Sequence, residues 1–229
     1  MTAQARADSM AAVISRLRNG EALHKLAPLD RRLGNLSEEE VRLNQRWRLL
    51  GATAHVISRR GYWPTTVGEI CTIAKVSKKA FYQHFSSKEE AFLSAYEAVD
   101  AVRDEVVRSL DNSSVSSMIA SWIDTYLGLW ELEPDLVQML LFQPMAATPA
   151  IRDCCMANLQ RHASRTRQLL DEARAAGLSI GELSDQEIAG MLGGIGQICV
   201  QHVHAHGIAG IRSALSPTLQ SFMGRVLRP

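Results

Sequence analysis

Residues 66–90 read TVGEICTIAKVSKKAFYQHFSSKEE, and their spacing decides the fold. Thr66 followed by Glu69 is a capping-box pair, in which hydroxyl and carboxylate each satisfy a backbone N–H at a helix start. Val67, Ile70, Ile73 and Ala74 then recur at helical spacing, which predicts about two turns of helix with this apolar side toward a core. The pattern breaks at Lys75-Val76. Ser77 is a good N-cap for a second short helix from Lys78 to Phe85. Ser87 and Glu90 repeat the capping pattern and open a long helix with Phe92, Tyr96 and Val99 on one face.

Working outward, Ser37 and Glu40 form another capping-box pair. Leu43, Trp47, Leu50, Ala54 and Ile57 follow at helical spacing until Gly61, so a first helix with one buried face is expected. Downstream of a break at Asp111 to Ser114, helical patterns run over about 115–131, 134–143, 149–176, 184–206 and 211–227. Pro134, Pro144, Pro149, Gly177, Gly207 and Pro217 supply most of the punctuation. Val, Ile and Thr never alternate with polar residues long enough for a strand, so the chain reads as all-α. Residues 1–36 read as an extension: Met10 to Leu17 allows a short helix, after which Asn19-Gly20 and Pro28 interrupt any pattern.

Composition excludes several classes. With 46% hydrophobic residues in 229, the chain can bury a core. No run approaches the roughly 18 apolar residues of a membrane span, and the N-terminus lacks signal-peptide order, so a cytoplasmic protein is expected. Cys71, Cys154, Cys155 and Cys199 show no CxxC pair and read as free thiols. The net charge of +1 conceals an asymmetry: residues 41–97 hold nine Lys/Arg against four Asp/Glu, and residues 98–229 hold ten against fourteen. Local positive charge is what a phosphate-facing surface requires.

Two short helices joined by a tight turn, the second bearing cations, form a helix-turn-helix plan. Val76, Phe81 and Phe85 supply the core side of the second helix. Lys78, Lys79, Tyr82 and Gln83 lie on or near faces open to DNA, and Ala80 is small enough to permit close approach. Gly61-Tyr62, Thr65-Thr66-Val67, Ile70, Val76-Ser77-Lys78, Phe81-Tyr82-Gln83-His84-Phe85 and Ser87-Lys88-Glu89-Glu90 together resemble the TetR family of transcriptional repressors. The resemblance is dense over about residues 43–97 and architectural beyond them. It implies that Lys78, Lys79 and Ala80 lie near base edges, and that Thr66, Tyr82, His84 and Lys88 hold phosphates. With Thr65, Ser77 and Gln83 these residues make up the expected DNA-binding set. Two positions depart from the family: Lys75 stands where it usually has Gly in the turn, and Cys71 where it usually has Ala.

The resemblance further implies an effector cavity in the C-terminal half, for which Trp122, Tyr126, Trp130, Met139 and Phe142 are candidate lining, with Met145 beside them. Read from spacing alone, the same residues are ordinary core. Cys199, His202 and His206 share a helix face that could ligate a soft metal; the preferred reading is polar residues near a helix end, with neither metal nor cofactor. Vicinal Cys154-Cys155 reads as structural rather than oxidant-sensing. Gly190, Gly193, Gly194 and Gly196 mark the 184–206 helix for close helix approach, and the resemblance pairs it with 211–227 in a homodimer interface. Arg31-Arg32 is read as part of a packing extension rather than a minor-groove arm.

The expected organisation is an extension over 1–36, a DNA-binding domain over 37–86, and a helical ligand-binding and dimerisation domain over 87–229. The expected function is a dimeric regulator, a repressor by resemblance, that binds a palindromic double-stranded DNA operator and is released by a small-molecule effector. A helical protein-interaction adaptor without DNA binding is the alternative. No catalytic constellation supports an enzyme.

Overall fold

The computed structural model of the chain describes Leu23, residues 37–108 and residues 113–229, with side chains left aside over 100–108. The expectations for residues 1–22 and 24–36, Arg31-Arg32 among them, and for Asp111 and Asn112 lie outside the described residues. The described chain is all-helical: α1 (Glu38–Arg60), α2 (Val67–Ala74), α3 (Lys78–His84), α4 (Lys88–Arg108), α5 (Val115–Leu132), α6 (Pro134–Phe142), a 3-10 turn (Pro144–Ala146), α7 (Pro149–Ala175), α8 (Asp185–His206) and α9 (Ile211–Val226). Among the described residues no helix is long and apolar enough to cross a membrane.

The helices start where the capping patterns predict. Ser37 and Glu40 form a reciprocal box on α1, and Glu38 to Glu40 and Arg59-Arg60 complement the two ends of its dipole. Ser184 and Glu187 form a further box on α8. At α4 the box is displaced: the Glu90 N–H donates to Ser87 Oγ, but the Glu90 carboxylate accepts from the Ser86 N–H and hydroxyl instead.

By internal contacts the chain divides into two compact units. One holds the described residues of Met1–Val102 with Asp135–Arg152, and the other holds Arg103–Pro134 with Asp153–Pro229. In the first, Leu49, Leu50, Ile57, Ile70, Phe81, Phe85 and Phe92 are almost wholly buried. Tyr62, Phe92 and Tyr96 extend this core as an aromatic chain, and Tyr96 Oη donates to the Leu140 carbonyl of α6 at 2.9 Å. The expectation of one buried face on α1 is corrected. From Trp47 to Ile57 every residue except His55 is buried, because α2 packs against the helix and α6 is tied to it. The tie is Asp135, whose carboxylate accepts from His55 Nδ1 at 2.7 Å and from Ser58 Oγ at 3.1 Å, with Arg59 at 3.5 Å. Ile73, expected toward the core, is exposed on α2. That short helix lies on the surface with Ile70, Cys71 and Ala74 inward, so an arc of about 100° per residue cannot bury 73 as well.

The second unit buries Ile123, Leu127, Trp130, Ile188, Ile195, Cys199, Ile211 and Leu219. Arg212 of α9 reaches Asp124 at 3.1 Å and Glu131 at 3.3 Å on α5, fixing those helices side by side. Pro217, one of the punctuating residues of the sequence, lies inside α9, which follows the expected 211–227 pattern. Leu215, Leu219 and Met223 bury the inner side of that helix on both sides of the proline, and this packing carries the helix through it. Among the described residues no group of three or more His, Cys, Asp or Glu is placed to hold a metal. Cys199 is buried, while the His202 and His206 rings lie 5.0 Å apart. All four cysteines are free thiols.

Candidate nucleic-acid interface

The interface is built on α2, its turn and α3. Thr66 and Glu69 close their box, with the Thr66 N–H on the Glu69 carboxylate at 2.9 Å and the Glu69 N–H on Thr66 Oγ1 at 3.3 Å. At the other end of α2 the chain turns through Lys75 at φ 53°, ψ 45°, the one non-glycine residue in the left-handed region among the described residues. Two backbone bonds close the turn, from the Val76 N–H to the Cys71 carbonyl at 3.0 Å and from the Lys75 N–H to the Thr72 carbonyl at 3.3 Å. This is the paired-bond arrangement in which glycine usually occupies the left-handed position.

Ser77 then caps α3, accepting from the Ala80 N–H at 3.1 Å. Phe81 and Phe85 sink into the core at 0% and 1% exposure, and the Arg46 guanidinium lies 4.7 Å over the Phe85 ring. With that side anchored, Lys78, Lys79, Tyr82 and Gln83 project outward, Tyr82 at 58% exposure, while Ala80 is half-buried. Thr66 and Ser77 are exposed at the two helix starts. His84 is half-buried, with Nε2 3.4 Å from Gln45 Oε1; burial first, then Arg46 and Arg42, hold its pKa below the ordinary histidine value.

Two residues of the expected set hydrogen-bond to the loop before α2. Thr65 is buried, and its hydroxyl donates to the Gly61 carbonyl at 2.8 Å, closing the loop before α2 rather than facing solvent. The Lys88 ammonium donates to the carbonyls of Tyr62 at 2.8 Å, Thr65 at 2.8 Å and Trp63 at 3.2 Å, and stands 4.4 Å over the Tyr62 ring. All three of its N–H donors are spent on that loop. Burial lowers its pKa.

Arg48 escaped the sequence reading. It is buried on α1 and donates to the Ala74 and Lys75 carbonyls, the latter at 2.7 Å, and to Asn44 Oδ1 at 3.3 Å. The signal for it was Lys75 itself, since a side chain in a turn that favours glycine implies that something else holds the turn.

Of the effector-lining candidates, Trp122, Tyr126 and Trp130 form one ladder on α5. Trp122 stacks on Tyr126 at 5.0 Å, Tyr126 meets Trp130 edge-on at 6.2 Å, and His162 of α7 lies 6.5 Å from Trp122. Trp130 is fully buried and its Nε1 has no hydrogen-bond partner. Met139 and Phe142 are not part of this ladder: they belong to the other compact unit, Met139 buried in it and Phe142 exposed. Met145 is also exposed.

The sequence profile of the bacterial regulatory proteins of the tetR family matches residues 49–95, the span from mid-α1 into α4. No curated protein matches the chain by sequence. Among solved structures, the fold is similar to that of native TylP, a TetR regulator from Streptomyces fradiae, at TM-score 0.61 and 22% identity over 83% of this chain and 81% of that one. It is similar to the regulator FadR from Bacillus subtilis in complex with stearoyl-CoA, at TM-score 0.63 and 17% identity over 76% and 95%. It is also similar to Salmonella enterica GusR, at TM-score 0.66 and 18% identity over 85% and 99%. At such identities the structures establish a shared fold, and the profile match establishes what kind of segment fills 49–95. Residues 49–95 thus match the tetR family of bacterial regulatory proteins, and the described chain shares the fold of solved TetR regulators along most of its length.

Proposed function

We propose that the chain is a repressor that binds a palindromic DNA operator as a homodimer in the cytoplasm and leaves it when a small molecule binds the C-terminal half. One observation carries the DNA half of this reading. Phe81 and Phe85 bury one side of α3 and leave Lys78, Lys79, Tyr82 and Gln83 on the other, so the helix presents donors at major-groove scale on a rigid base. In this reading Lys78, Lys79, Ala80 and Gln83 approach base edges, and Thr66, Ser77, Tyr82 and His84 reach phosphates. Thr65 and Lys88 hold the loop between α1 and α2 in place beneath them.

For the dimer, α8 and α9 support the reading. Gly190 and Gly193 are exposed with open space where a side chain would stand, which allows close approach of a second copy. For the effector, the ladder of Trp122, Tyr126 and Trp130 offers an aromatic wall and a buried donor that an oxygen of a ligand would satisfy. FadR from Bacillus subtilis, solved with stearoyl-CoA, shows that the fold accommodates a ligand in a neighbour. The expected division at residues 86 and 87 is retained as a functional boundary between DNA reading and effector sensing.

The test uses a duplex selected from a randomised library by the unaltered protein, with fluorescence anisotropy read across salt concentrations. Binding should weaken steeply with salt, with a log–log slope of about 0.9 per neutralised phosphate. Lys78→Ala with Lys79→Ala should lower affinity by at least about tenfold while the melting temperature and the dimer are retained. Failure to select any duplex, or binding indifferent to both lysines, would return the chain to the adaptor reading.

A further inference from the structure

We propose that Arg48 is a positioning residue for operator recognition: from inside α1 it clamps the left-handed turn at Lys75 and so sets the direction in which α3 leaves α2. The inference rests on the DNA-binding reading above, but its geometry stands independently of it.

A helix ends with carbonyls that have no helical donor. In α2 the Cys71 and Thr72 carbonyls are taken by the Val76 and Lys75 N–H groups, which closes the turn. Further on, the Ala74 and Lys75 carbonyls both accept from the Arg48 guanidinium, whose other terminal nitrogen donates to Asn44. A fixed cation at the negative end of the α2 dipole is favourable. Both carbonyls accept from one guanidinium nitrogen, Nη2, and they belong to the peptide groups on either side of the Lys75 Cα, so holding both restricts rotation at Lys75.

The conformation at Lys75 governs the next part of the chain. Lys75 occupies the left-handed region without the conformational freedom of glycine, a state that persists only where surrounding structure over-determines it. Val76 and Ser77 come next, and Ser77 caps α3. A rotation at Lys75 therefore swings all of α3. With Phe81 and Phe85 held in the core at the C-terminal side, a change at Lys75 displaces chiefly the first turn of α3, which carries Lys78 and Lys79. Arg48 itself is buried and cannot touch DNA, so its influence runs through the turn. Here a buried arginine supplies the constraint that glycine at the turn would make unnecessary.

Three variants test this: Arg48→Met, Lys75→Gly and the double variant. The duplex is the one selected by the unaltered protein, with a scrambled duplex of equal length and charge as reference, both measured well below the melting temperature. Lys75→Gly should raise the melting temperature by about 2–4 °C and leave discrimination between the duplexes intact. Arg48→Met should reduce that discrimination by at least about tenfold, the scale of a lost base contact, with little change on the scrambled duplex. The double variant should regain most of the discrimination. A purely stabilising arginine would lower the melting temperature and leave discrimination unchanged in the folded protein, and that result overturns the proposal. Loss of discrimination without recovery in the double variant overturns it also, since Arg48 would then act elsewhere than through the turn.

A second readout needs no DNA. Hydrogen exchange in peptides spanning 71–77 should speed up by at least about tenfold in Arg48→Met and return toward the parent rate in the double variant. Unchanged exchange there refutes the clamp even if no duplex is ever selected, which separates its failure from failure of the DNA-binding reading. If Arg48→Met does not fold, Arg48→Lys keeps the charge while losing the second nitrogen that Asn44 holds and the planar orientation it gives, and is judged by the same criteria.

Discussion

His84 shows how one residue can link the interface to solution conditions. It ends α3 with its ring half-buried between Gln45 and the Phe85 ring, and burial, Arg46 and Arg42 all disfavour its protonated form. Its folded pKa lies below the ordinary value of 6.5, so the unfolded chain binds the proton more readily than the folded one. The stability it contributes is therefore fully present above about pH 6.5 and is lost as pH falls through the folded pKa. Unfolding free energies measured by urea from pH 7.5 to 5 should fall toward acid in the parent, and His84→Gln should flatten part of that fall. An unchanged profile would show that acid sensitivity arises elsewhere. Residue-scale reading of the sequence was good where exposure followed from helical spacing, as for Lys78, Lys79, Tyr82 and Gln83. It was poor where a polar atom turned inward. Nothing in the order of residues announces that the Thr65 hydroxyl meets the Gly61 carbonyl, or that Lys88 spends its ammonium on three carbonyls some 25 positions away.

At the scale of elements, helix starts were legible because a cap is a local event: a hydroxyl at one position and a carboxylate three residues on satisfy N–H groups within a single turn. The boxes at Ser37 and Thr66 follow the pattern as written. The exception at α4, where Glu90 selects Ser86 over Ser87, is a competition between adjacent serines that the pattern cannot rank. Helix α9 marks the other limit. Pro217 removes the donor for the Ser213 carbonyl and crowds the preceding turn, yet the helix continues because its inner side is buried. Pro217→Ala should therefore raise the unfolding free energy by about 1–3 kcal/mol, read from urea midpoints. A loss of stability instead would mean that the proline's bend is required by the packing of α9.

At the scale of the whole molecule, the chain passes between its two compact units at 102/103, 134/135 and 152/153, so the first unit is assembled from two separate stretches. Asp135 marks the return of the second stretch: one buried carboxylate accepts from His55 and Ser58 and pairs with Arg59, joining α6 to α1. Asp135→Ala removes the acceptor these groups share and should cost about 1–3 kcal/mol of stability, confined to the first unit. Each unit holds two tryptophans, Trp47 and Trp63 in one and Trp122 and Trp130 in the other. Phenylalanine replacements in one pair at a time let fluorescence follow each unit separately. The variant should shift the midpoint of the first unit and leave the second in place, and equal shifts in both would show that the units unfold as one.

The order of polar and apolar residues along this chain was enough to determine its helices, the capping boxes at Ser37 and Thr66 and the outward face of α3, because each depends on neighbours within about one helical turn. Only the tertiary structure decided that α6 belongs with α1, that α1 is enclosed on nearly every side over Trp47–Ile57, and that Arg48 holds the turn at Lys75. Those contacts join residues 26 to 80 positions apart. Which distant carbonyl a buried cation meets depends on how the helices pack, and a pattern confined to one helix carries no record of it.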